Sequence, residues 1–203
     1  MITNNKNTTV NCHLVRLWIH ENKRVFGDRL NDNPDRKFLD DLLIDRAQVK
    51  FALSKAEIFN AERIIFGDFM DGIDVEQRVY RQIEDLKIMQ NKIEEYLDDY
   101  NSSVKTQMNL VLFLDACDHV SRIQRILRQP LGNAFLLGVG GSGRQSLSRL
   151  ATFIANYKIF QIEVIKGYSM GNWREDIKFA LMQAGVENKA TSFLFVDTQI
   201  VNE

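Results

Sequence analysis

The chain has 203 residues, 45% of them hydrophobic and 26% charged, which is enough apolar content for a packed core and excludes a disordered polymer. A formal net charge of -1 leaves no broad cationic field for nucleic acid or an anionic membrane surface, so neither is an expected partner. No run of about 18 apolar residues occurs, so no membrane span is predicted. The Asn- and Thr-rich stretch 1–9 is unlike a secretory signal. Cys12 and Cys117 lack metal-type spacing. They read as two free thiols in a reducing, cytoplasmic setting, with a single disulfide as the alternative.

Up to about residue 130 the sequence reads as helices. Val10, Leu14, Leu17, Trp18 and Val25 recur at helical spacing and predict an amphipathic helix over 9–26. Asn33-Pro34 places proline in the first turn of a second helix carrying Phe38, Leu39, Leu42 and Leu43. Further helix is predicted from Ala52 to Phe66, with Gly67 and Gly72 punctuating the turn after it. Val79, Ile83, Leu86, Met89, Ile93 and Leu97 predict a long helix over 74–99. Its stripe suits packing within the chain, or alternatively a coiled-coil partner. A last helix is predicted over 106–128, with Leu110, Phe113, Val120, Ile123 and Leu127 inward and Arg122, Arg125 and Arg128 near its C-terminus. Trp18 and Trp173 read as core anchors, and His13, His20 and His119 as ordinary histidines without metal-type neighbours.

After Pro130 the period changes. Ala134-Phe-Leu-Leu137 predicts a buried parallel strand, and Ser146–Tyr157 a helix. Ile159–Val164 predicts a second strand, Trp173–Ala184 a helix stopped by Gly185, and Ser192–Val196 a third buried strand ending at Asp197. Strand, helix, strand, helix, strand is the order of a parallel α/β sheet. The predicted class is therefore α/β, a helical N-terminal region followed by a P-loop sheet expected to be truncated at Glu203.

Between that first strand and its helix lies the most informative stretch, Gly138, Val139, Gly140, Gly141, Ser142, Gly143, Arg144, Gln145 and Ser146. Glycines at this density let successive backbone N–H groups turn toward one anion, and the helix N-terminus adds its positive end. The spacing Gly138 to Gly143 fits a phosphate loop of the form G-x-x-x-x-G-K-[ST]. Arg144 stands in the lysine position and Gln145 in the hydroxyl position. Arginine keeps the charge in a bulkier, forked form. An amide oxygen is a weaker magnesium ligand, which leaves Ser146, one residue on, as the candidate hydroxyl. The second constellation is Phe193-Leu-Phe-Val-Asp197, an apolar strand ending in a carboxylate. In P-loop folds such an aspartate holds Mg2+, so Ser146 and Asp197 are the candidate metal residues and ATP or ADP with Mg2+ the candidate ligand. The residue after it is Thr198, which cannot act as a general base near neutral pH. No catalytic residue is therefore assigned, and the site reads as built for binding rather than turnover.

These segments resemble the fourth AAA+ module of a dynein heavy chain, most of all the axonemal branch with its arginine in the phosphate loop. The resemblance rests on Gly138–Leu147, Phe160-Gln-Ile-Glu163, Gly167-Tyr168, Trp173-Arg-Glu-Asp176 and Phe193–Ile200. Leu14–Glu21 and Val25–Leu30 resemble the small helical subdomain of the third module; Asn109–Phe113 and His119–Ile123 resemble the helices leading into the fourth. The resemblance implies residues 1–70 as a helical small subdomain, 71–130 as a connector and 131–203 as a partial nucleotide-binding core. It further implies a regulatory ATP-binding part of a ring that moves along microtubules in the axoneme of a cilium or flagellum. The implied partners are the rest of the ring, intermediate and light chains, and, through the parent motor, microtubules. Two readings compete with it, a non-catalytic helical interaction module with a vestigial loop and a small independent P-loop ATPase.

Overall fold

A computed structural model describes residues 3–59, 63–75 and 77–200, with side chains from Cys12 onward. The chain divides into two compact units, residues 1–68 with 77–86, and residues 69–76 with 87–203.

In the first unit, helix α1 (Thr3–Val25) presents Cys12, Val15 and Ile19, spaced three and four residues apart, to a core shared with Leu43, Ala47, Leu53 and Ile58. The predicted stripe is thus displaced: Leu14, Trp18 and Val25 lie exposed, and Val10 falls outside the described side chains. Apolar residues occupy two faces of α1, and the beta-branched pair Val15 and Ile19 wins the core. Helix α2 (Asn33–Phe51) starts as predicted, with Pro34 in its first turn and Asp32 capping the Asp35 N–H at 2.9 Å. It ends at Ala52, whose left-handed φ of 54° breaks the helix. Phe38 and Leu42 are exposed, and Leu43 with Ala47 forms the inner face. Ser54 and Glu57 form a reciprocal capping box for the short α3 (Lys55–Ile58). That hydroxyl and amide of Ser54 hold the Glu57 carboxyl below its usual range. Arg16 caps the other end, donating to the Ile58 and Glu57 carbonyls at 2.8 and 2.6 Å.

The helix predicted through Phe66 stops at Ile58; residues 60–62 lie outside the described part, and Ile65–Gly67 form strand β1. β1 pairs antiparallel with β2 (Arg81–Ile83), Phe66 opposite Gln82. Phe66 packs against His20 and Tyr80, and the Tyr80 hydroxyl donates to Glu21 at 2.9 Å. His20 is buried with Nδ1 3.0 Å from the Ile64 carbonyl, a structural role.

In the second unit, helix α4 (Leu86–Ser103) buries Met89, Ile93, Tyr96 and Leu97. The long helix predicted from residue 74 is shorter by a strand: Ile83 belongs to β2 and Val79 is exposed. Helix α5 (Leu114–Arg128) begins eight residues later than predicted, and Phe113 is exposed. Its buried face is Ala116, Cys117, Val120, Ile123 and Gln124, set against Leu147, Leu150, Ala151 and Ile154 of helix α6 (Arg144–Ile154). Strands β3 (Lys158–Phe160) and β4 (Thr191–Phe193) pair in parallel, joined through helix α7 (Met170–Gly185). Ser169 caps α7 through Asn172. Phe160 contacts Phe179 and Phe193, and Trp173 contacts Phe193 and Phe195, at centroid separations of 5.5 to 6.3 Å. Trp173, expected as a core anchor, is only half-buried and packs on Phe193 and Phe195 outside the core.

The parallel α/β class holds, on two paired strands rather than three. Residues 134–137 form no strand among the described residues, and Phe135 and Leu137 are 85% and 80% exposed. A parallel strand is buried by the strands beside it and the elements on its faces, and among the described residues no strand pairs with this segment. Phe193 and Phe195 are likewise exposed rather than buried. Cys12 and Cys117 are free thiols, both buried. No described helix is long and apolar enough to cross a membrane.

Candidate functional site

The predicted loop leads straight into α6. Gly143 is its N-cap, with φ of 77° and no capping side chain. Leu147 N–H donates to the Gly143 carbonyl at 2.9 Å, the first bond of the helix. The N–H groups of Arg144, Gln145 and Ser146 belong to the first turn and have no intrahelical acceptor. Gly141 also has φ of 77°, so two left-handed residues flank Ser142 and fold the backbone into a concave turn that side-chained residues resist. Around the would-be Cβ positions of Gly140, Gly141 and Gly143 there is no atom within 4 Å. Open space, uncapped amides and a helix N-terminus together fit an anion.

The Val139 carbonyl accepts from the Ser142 N–H at 3.3 Å and from Arg144 Nη2 at 3.2 Å. Arg144 therefore folds back along the loop: a Cβ on Gly138 would stand 3.5 Å from its Cδ and 3.2 Å from the Ser142 Oγ. Gly138 is where the loop approaches its own side chains. Gln145 is exposed and Ser146 half-buried in the first turn of α6.

Asp197 opens a single 3-10 turn (Asp197–Gln199) after β4. Its Oδ1 accepts from the Thr198 N–H at 3.0 Å. Among the described residues no hydrogen bond or ion pair joins Asp197 to residues 138–146; the two halves of the candidate site are each built separately. No cluster of three or more His, Cys, Asp or Glu residues suited to a metal occurs among the described residues. A magnesium ion here would therefore depend on phosphate oxygens for much of its shell, with Ser146 and Asp197 as the protein's hydroxyl and carboxylate. Sequence reasoning missed Gln199, a buried amide beside Asp197. Its only sequence signal is a glutamine three residues past an apolar strand, indistinguishable from a surface polar residue.

Residues 108–203 match the family model for the P-loop containing dynein motor region D4, and residues 3–61 match that for the AAA+ lid domain. The chain is 50% identical over 191 residues to dynein axonemal heavy chain 1 of Mus musculus, covering 94% of this chain and 4% of that protein. It is 47% identical over 192 residues to dynein axonemal heavy chain 2 of Mus musculus, with 94% and 4% covered. It is 45% identical over 192 residues to dynein axonemal heavy chain 6 of Homo sapiens, with 94% and 5% covered. The chain thus spans about one-twentieth of the length of these relatives.

Proposed function

Because the chain belongs to the axonemal dynein heavy chains, we propose that it is a regulatory ATP-binding part of such a ring, serving ciliary or flagellar movement along microtubules with little hydrolysis of its own. The observation that carries this reading is the glycine loop whose two left-handed residues open onto the uncapped N-terminus of α6. In this reading the amides of Gly140, Gly141 and Gly143 to Ser146 and the Arg144 guanidinium hold the phosphates, the Ser142 N–H being given to the Val139 carbonyl, and Ser146 and Asp197 hold Mg2+. Bound Mg2+ supplies neutralisation of the phosphate charge. Slow turnover follows from Thr198, since no carboxylate follows Asp197 to take a proton from water. The lid match over 3–61 supports 1–70 as a preceding module's small subdomain, and the P-loop match over 108–203 supports 131–203 as a nucleotide-binding core while reaching back into the connector proposed for 71–130. The rest of the ring, intermediate and light chains, and microtubules through the parent motor are the partners proposed, in the axoneme.

The test is calorimetry with Mg-ATP and Mg-ADP on the folded chain, paired with a phosphate-release assay. Saturable binding with negligible release is expected. Absence of binding would leave only a vestigial loop, and turnover near about 1 per second, the low end for working enzymes, would contradict the role given to Thr198.

A further inference from the structure

The end of the β3–β4 ladder carries a side chain where a backbone bond belongs. Leu194 N–H donates to the Phe160 carbonyl at 2.8 Å, continuing the parallel register beyond the last paired residues. Parallel ladders repeat every two residues, so the next bond donated from the β4 side would run from Val196 N–H to the Ile162 carbonyl. It does not form. Val196 N–H donates instead to Gln199 Oε1 at 2.9 Å, and Gln199 Nε2 donates to the Ile162 carbonyl. Gln199 is only 9% exposed and Ile162 is buried. A second link, Gln199 N–H to the Val196 carbonyl at 2.9 Å, closes the turn on its other side.

A carboxamide inserted this way reproduces a peptide group: it accepts from one strand and donates to the other, so neither buried backbone group is orphaned. With the Gln199 carboxamide between Val196 and Ile162, the chain enters the 3-10 turn at Asp197 instead of continuing the ladder. The Asp197 carboxylate is then fixed by its own turn, through the Thr198 amide.

We infer that Gln199 is a positioning residue for the nucleotide site: its carboxamide, spliced into the β3–β4 ladder, sets the place and direction at which Asp197 leaves the sheet. This rests on the reading of Asp197 as the Mg2+-facing carboxylate. The residue type is demanding. Ionised glutamate has two acceptors and would set one against the Ile162 carbonyl. Methionine fills similar space with neither group, leaving both backbone partners unsatisfied.

The experiment compares wild type, Q199M, Q199E and D197N in the 203-residue chain, using a fluorescent ATP analogue titrated with Mg2+ and, separately, in EDTA. Q199M and Q199E are expected to raise the Mg2+ midpoint about tenfold, as losing a group that orients a metal ligand does, with affinity in EDTA within about twofold of wild type. D197N should raise it at least as far. If D197N shifts the midpoint and both Gln199 variants leave it unchanged, the inference is overturned and the reading of Asp197 stands. If D197N itself leaves it unchanged, that reading fails first. Should the variants not fold, amide hydrogen exchange on wild type decides: the Val196 N–H must exchange at least about tenfold more slowly than a free amide. A freely exchanging Val196 would overturn the inference without any variant.

Discussion

Gly140→Ala and Gly141→Ala separate what the loop's own geometry requires from what a ligand requires. Gly141 has φ of 77°, where an L side chain costs about 1–2 kcal/mol. Alanine recovers about 0.4–1 kcal/mol through its less flexible unfolded chain, leaving a net loss of about 1 kcal/mol. For a chain near 200 residues that is a fall of about 2–4 °C in Tm. Gly140 has no left-handed φ and no atom within 4 Å of a would-be Cβ, so the protein itself does not resist a methyl there. Gly140→Ala should melt at the wild-type temperature or slightly above it. Its methyl matters only to something that approaches the backbone closely, so Mg-ATP binding should weaken at least about tenfold, roughly 1.4 kcal/mol. Differential scanning fluorimetry gives the first quantity and calorimetry the second. Gly140→Ala binding Mg-ATP within about twofold of wild type would refute the cradle. Gly140→Ala melting well below Gly141→Ala would refute the loop conformation itself.

Tyr96→Phe should destabilise the second unit by about 1–3 kcal/mol in urea unfolding, because the buried hydroxyl donates to the Phe69 carbonyl and its removal leaves that acceptor unsatisfied at almost unchanged volume. An unchanged midpoint would mean the carbonyl finds water instead. Burial, and then the negative charge of Glu94, push the Cys117 thiol up to about 11. The folded state therefore favours the neutral thiol: this contribution is complete below the ordinary thiol range and is lost as pH rises from about 9 toward 11. The urea midpoint should fall over that window, with Cys117→Ala falling less, and a thiol reagent at pH 8 should label Cys117 only after unfolding.

Local signals were legible in the sequence and pairing signals were not. Pro34 after Asp32, the glycines before α6 and the apolar stripe Met89, Ile93 and Leu97 each act within a few residues of chain, and each appears where expected. The β-strands failed on the opposite ground. β1 and β2 are each three residues long, too short to show a period of two, so in the sequence Phe66 and Ile83 read as parts of neighbouring helical patterns. Ala134–Leu137 has the composition of a buried strand, but burial belongs to the partner that covers it and composition does not specify one. The buried face of α1 shows the same ambiguity at helical period, since two apolar stripes compete and the core chooses between them.

The same distinction explains what could be known of the site. The phosphate loop is a local device: positive-φ glycines, an uncapped helix start and Arg144 reaching back to the Val139 carbonyl all lie within nine residues, 138–146. Its chemistry can therefore be read from spacing. The carboxylate half is a non-local device. Asp197 is only as well placed as the end of β4, and that end is set by a bond from Gln199 to Ile162, 37 residues earlier in the chain. The loop is concave with Arg144 and Gln145 in the consensus lysine and hydroxyl positions, because its shape comes from the positive φ of Gly141 and Gly143; in the proposed reading main-chain groups meet the anion. A change at Gln199 leaves every consensus residue in place and yet moves one of them. Binding of phosphate should accordingly tolerate side-chain changes in the loop better than Mg2+ dependence tolerates a change at Gln199.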